Sequence, residues 1–143
     1  MTVSAANARP TGLTADAGWE IGVSRTLPYP PEALWRLVTS PEGLALWLGE
    51  GTGPLGGKGA AYRTADGTAG EIRSHHPGSR LRLTWRPPGR AGDTTLQVTV
   101  SPAPRGAVLR FHQERLADAQ ERERQRAHWA SVVDALAQLG PGA

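Results

Sequence analysis

Four histidines, His75, His76, His112 and His128, are the first candidates for proton transfer or metal ligation in this chain of 143 residues. Neighbours on a strand face opposite sides, so His75 and His76 are poorly placed to share one metal. No His-Glu-x-x-His occurs and there is no cysteine to complete a ligand set, so neither a metal site nor a cofactor is expected. His75 and His112 share the parity of the arginines on their strands, which predicts solvated or weakly paired rings on a polar sheet face. His76 falls at a strand end. His128 adjoins Trp129 in a helical run and is a candidate for lining an interior.

Other chemistry finds less support. Gly53-Pro54-Leu55-Gly56-Gly57-Lys58-Gly59 is the nearest approach to a phosphate loop, but Thr52 stands where that pattern needs glycine and Gly59 where it needs a magnesium-binding hydroxyl. The segment reads as a turn-rich connection. No Gly-x-Ser-x-Gly nucleophile elbow is present. Glu71, Asp93 and Glu114 would meet only in a strand register that the sequence leaves open, so no catalytic residue is assigned. Five tryptophans against one phenylalanine are more telling. Either they fill a core together, or a curved sheet around a helix leaves a gap whose large rigid side chains receive an apolar ligand.

The elements that must position these residues follow from periodicity. Trp19, Ile21 and Val23 alternate with polar or small neighbours, as in a half-buried strand. Residues 1–18, without large side chains to bury, are expected to form a flexible tail, and residues 19–140 one domain. Pro30 and Pro31 end the first strand, and Pro31 opens a short helix carrying Leu34, Trp35 and Val38. Ser40 caps a second short helix with Pro41 at its first position and Leu44, Trp47 and Leu48 on its apolar face. Strands are predicted over 60–64, 68–75, 80–86, 94–101 and 107–114, separated by turns too short for parallel crossovers. Leu81, Leu83 and Trp85, then Leu96, Val98 and Val100, then Leu109 and Phe111 give that sheet one apolar face. Residues 121–139 lack proline and glycine, and Trp129, Val132, Val133, Leu136 and Leu139 recur at helical steps, so a long terminal helix covers that face.

Composition sets the outer bounds. At 15.2 kDa the chain has room for one domain, and 38% hydrophobic residues suffice for a core. No apolar run approaches the roughly 20 residues that span a bilayer, and Met1–Asn7 lacks the pattern of a secretory signal. A cytoplasmic protein without membrane insertion is expected. Residues 61–115 hold nine arginines and only four carboxylates. Their alternation along strands spreads them over a solvated face without an aromatic stacking stripe, so specific nucleic-acid binding is not expected.

Trp35-Arg36-Leu37-Val38-Thr39-Ser40-Pro41-Glu42-Gly43-Leu44-Ala45-Leu46-Trp47 resembles the signature of the bacterial relatives of the heat-shock chaperone ATPase activator, within the START-like or SRPBCC superfamily. The resemblance extends through Gly70-Glu71-Ile72, the Arg80–Trp85 segment, residues 106–116 and Trp129. It implies an α+β helix-grip fold: a curved antiparallel sheet around a long C-terminal helix, with two short helices after the first strand. It also implies a cavity for hydrophobic molecules. Trp85 and Phe111, by inward strand parity, and His128 and Trp129, by helix position and the resemblance, are the candidate ligand-binding residues. The leading expectation is noncatalytic binding of an apolar or aromatic small molecule. Cyclase, aromatase or other tailoring chemistry in the same cavity, and a chaperone-associated or other protein-interaction role, are the alternatives. Ala107 and His128 depart from residues common in the family, threonine and glycine respectively.

Overall fold

The computed structural model describes residues 12–14 and 18–141. The strands are β1 (Leu13–Thr14), β2 (Gly18–Leu27), β3 (Ala61–Arg63), β4 (Ala69–His76), β5 (Arg80–Trp85), β6 (Thr94–Ala103) and β7 (Gly106–Leu116). Helices α1 (Pro31–Thr39) and α2 (Pro41–Trp47) follow β2, and α3 (Ala119–Leu139) closes the chain. All strand pairs are antiparallel in one sheet of order β1-β2-β7-β6-β5-β4-β3. This is the expected helix-grip arrangement. Of the predicted tail, residues 1–11 and 15–17 lie outside the described residues, while Leu13 and Thr14 pair with Trp19 and Gly18.

Each element forms for a local reason. Pro31 starts α1 where a missing N–H costs nothing, and Ser40 ends it in extended backbone. The Ser40 hydroxyl oxygen accepts from the Gly43 N–H at 3.0 Å, capping α2. A Cβ on Gly43 would lie 1.9 Å from the Leu37 carbonyl oxygen, so only glycine lets the two helices meet this closely. The Trp47 indole N–H donates to the Val38 carbonyl at 2.8 Å and locks α2 against α1. Asp118 caps α3 by accepting from the Glu121 N–H, so the helix begins at Ala119, two residues before the start that periodicity predicts.

Alternation then builds the core. Leu81, Leu83, Leu96, Val98, Leu109 and Phe111 are fully buried on the inner sheet face, and Trp129 and Leu136 of α3 are fully buried against it. Burying such side chains contributes about 1.5–3 kcal/mol each before chain entropy is counted. Two irregularities break the simple alternation. Between Ile72 and Ser74 the register of β4 on β5 shifts by one residue, so Arg73 is the extra residue of a bulge. Near the end of β7, Arg115 adopts φ 65°, and the register on β2 shifts between Trp19 and Ile21. Leu116 thereby joins Gln113 inside, although the two differ in parity.

Candidate functional site

The four residues expected to line an interior do not share one space. Phe111 and Trp129 stack with ring centres 4.8 Å apart and planes 10° apart, and Trp47 closes on Phe111 at 5.8 Å. Both are fully buried, and stacked rings leave no gap between them for a ligand. Trp85 is half-buried at the edge of the core. His128 lies on the exposed side of α3 with its ring edge-on to Trp129 at 4.6 Å. The surrounding chain still holds the His128 pKa below the ordinary imidazole value by desolvation.

Beneath this aromatic stack is a polar group that the alternation argument passed over. Gln113 is fully buried; its amide N–H donates to Thr94 Oγ1 at 2.8 Å. Its carbonyl oxygen accepts from the Trp129 indole N–H and from Gln125 Nε2, both at 2.9 Å. No buried side-chain polar atom of this network lacks a partner, so it joins helix to sheet. Tyr62 is similarly occupied. Its hydroxyl donates to the Thr84 carbonyl at 2.6 Å, and burial, aided by the Asp93 charge, pushes its pKa up.

Larger openings of about 530 and 370 Å³ lie among charged residues such as Arg82 and Asp93 or Arg90 and Glu121, whereas apolar-walled space lies where α1, α2 and the connection from Gly49 to Gly59 meet the ends of β4 and β5. One cleft of about 250 Å³ is lined by Thr39, Pro41 and Leu44 and by residues 51–54. A second, of about 310 Å³, is lined mainly by Trp35, Thr39, Pro54, Leu55, His75 and Leu81. They share Thr39 and Pro54 and so adjoin. The glycine-rich connection creates the opening, because Leu55 is its one large apolar side chain and cannot fill the volume that a helix would.

His75 is the correction to the parity argument. The bulge at Arg73 reverses the facing of the residues that follow, so His75 pairs with inward Leu81 instead of joining the arginines. It is half-buried, with its ring 6.3 Å from that of Trp35 and tilted by 41°. Its Nδ1 lies 3.0 Å from the Gly56 carbonyl oxygen, tying the glycine-rich connection to the sheet. His76 is exposed at the strand end. His112 stays on the outer face, 3.0 Å from Glu20 and 3.6 Å from Glu114.

On that outer face the carboxylates are dispersed among arginines. Glu71 pairs with Arg73 at 3.0 Å, Glu114 with Arg82 at 3.3 Å and Asp93 with Arg86 at 3.8 Å. Each of the three acids thus has its own cation, and no acid/base pair forms among them. Among the described residues no cluster of three or more His, Asp or Glu is placed to hold a metal, and no helix is long and apolar enough to cross a membrane.

The sequence pattern described as Activator of Hsp90 ATPase homolog 1-like protein matches residues 28–140. The chain belongs to this family. Its span runs from the turn before α1 to the end of α3 and so includes both clefts. No curated protein matches the sequence. Among solved structures, protein MLL2253 from Mesorhizobium loti superposes with a TM-score of 0.72 at 23% identity, covering 84% of this chain and 95% of that one. Protein CV1439 from Chromobacterium violaceum superposes with a TM-score of 0.69 at 29% identity, covering 85% of this chain and 96% of the other. DynU16, a protein of the dynemicin biosynthetic locus, gives a TM-score of 0.73 at 23% identity over 83% of this chain, which spans 46% of DynU16. These likenesses establish the helix-grip fold. The family membership assigns no chaperone activity to this chain.

Proposed function

We propose that this protein binds a hydrophobic or aromatic small molecule, without converting it, in the paired clefts between the α1–α2 corner and the glycine-rich connection. The observation that carries this reading is the second cleft: about 310 Å³, walled by Trp35, Leu55 and Leu81, with the half-buried His75 as a polar group among them. Ligand sites combine such apolar walls with a few placed polar atoms, and this volume lies at the lower end of their usual range. A flat aromatic or short aliphatic molecule matches it better than a long acyl chain. In this reading Phe111 and Trp129 belong to the packed core that Trp47 joins to the α1–α2 corner, while Trp85 and His128 lie away from the ligand.

Intact-complex mass spectrometry on protein purified under mild conditions tests the proposal, with product analysis of every retained compound. Retention of an apolar molecule, unchanged after incubation, is the expected result. Turnover of the retained compound would replace binding by tailoring chemistry in the same cleft. If no compound is retained from an apolar metabolite library, the binding reading fails.

A further inference from the structure

We propose that His75 is a specificity-determining residue of this cleft, presenting its Nε2 lone pair to an O–H or N–H donor on an aromatic ligand. The inference rests on the binding reading above and names the substrate class: hydroxylated or amino-substituted aromatics, with phenols the simplest. Its starting point is the bulge at Arg73, which gives up one regular ladder position and sets His75 opposite Leu81 on the inner face. Without that extra residue the imidazole would stand among the arginines.

The partner of Nδ1 determines what the ring can offer. Gly56 contributes a carbonyl oxygen, which only accepts, so at 3.0 Å Nδ1 carries the proton. In the neutral ring the proton on Nδ1 leaves Nε2 as an acceptor. No protein donor reaches Nε2 among the described residues. The other polar side chain of the cleft, Thr39, spends its one hydroxyl proton on the Trp35 carbonyl at 2.8 Å and so offers a ligand no donor. The cleft lining therefore includes an imidazole whose Nε2 has no protein donor, its ring 6.3 Å from that of Trp35, an arrangement suited to stacking an aromatic ring while accepting its hydroxyl proton. A site built to accept from a ligand donor discriminates against the analogue that lacks it.

Two near-isosteric probes separate this role from a purely structural one. Binding of 2-naphthol and 2-methylnaphthalene is measured by calorimetry on the wild type, on His75→Phe and on His75→Ala. The expected result is that the affinity ratio of naphthol to methylnaphthalene falls about tenfold on substitution, the size of one hydrogen bond. If His75 only pins the loop, both probes weaken together and the ratio holds, which overturns the proposal while leaving the binding reading intact. If the wild type binds neither probe, this proposal falls, and the binding reading stands or falls with the metabolite library. Should the variants not fold, ¹⁵N spectra of the wild type decide: the His75 Nε2 resonance should move with 2-naphthol and stay with 2-methylnaphthalene, and equal responses overturn the proposal.

Discussion

Replacing Gln113 by leucine tests whether the buried amide holds α3 to the sheet. The substitution keeps the side chain close in size and removes both partners that the amide supplies. The Trp129 indole N–H, fully buried and bonded to Gln113 Oε1 at 2.9 Å, would then have no acceptor, at a cost of about 1–3 kcal/mol. The other two groups suffer less. Gln125 is only half-buried and can turn to water, and Thr94 Oγ1 keeps its donation to the Trp85 carbonyl at 3.2 Å. A net loss of about 2 kcal/mol follows, which for a urea m-value of roughly 1.5 kcal/mol/M lowers the unfolding midpoint by somewhat more than about 1 M. Trp129→Phe removes the stranded donor, so in the double variant it should cost about 1 kcal/mol less than in the wild type. Additive effects, or a Gln113→Leu protein as stable as the wild type, would refute the network's role.

Leu136→Asp places an unpaired charge at a fully buried position of α3 and should cost roughly 3 kcal/mol in urea unfolding; equal stability would remove the packing of α3 on the sheet. Glu121 has its pKa held below the usual carboxylate range, chiefly by hydrogen bonds from Arg90 Nε and Nη2 at 2.8 and 2.7 Å and also by the Ala117 N–H. A folded pKa below the unfolded one gives stability that is present above the unfolded value, about 4.3, and is lost as pH falls through the folded value. Urea midpoints taken from about pH 6 down to about pH 3 should therefore fall more steeply for the wild type than for Glu121→Gln.

What was legible in the sequence was whatever depends on local periodicity. The three- and four-residue spacing through Trp129, Val132, Val133 and Leu136 marks α3, and Ser40-Pro41-Glu42-Gly43 marks the α1–α2 corner down to its cap. Alternation places Leu81, Leu83, Leu96, Val98, Leu109 and Phe111 on the inner face, where all six are fully buried. Alternation fails where a strand carries an extra residue. Neither Arg73 nor Arg115 is of a type that announces a bulge, so the inward turn of His75 and the burial of Leu116 needed the strand pairing. Gln113 has the parity of Phe111, a signal that it faces inward, but its partners come from β6 and α3 and lie far off in sequence. The clefts were hidden for a related reason: they arise from what the glycine-rich connection fails to fill. Of the five tryptophans, Trp129 and Trp47 pack around Phe111 in the interior, and only Trp35 borders either cleft.

The central claim, that an aromatic ligand enters beside Trp35 and beneath the glycine-rich connection, is read most directly from the indole N–H resonances. In a ¹H–¹⁵N titration with 2-naphthol, the Trp35 indole and the backbone amides of Gly51, Thr52, Gly53 and Leu55 should shift to saturation. The Trp85 and Trp129 indoles should stay in place. Shifts centred on Trp129 and Trp85 with Trp35 unmoved, or no saturable shift at all, would contradict the account.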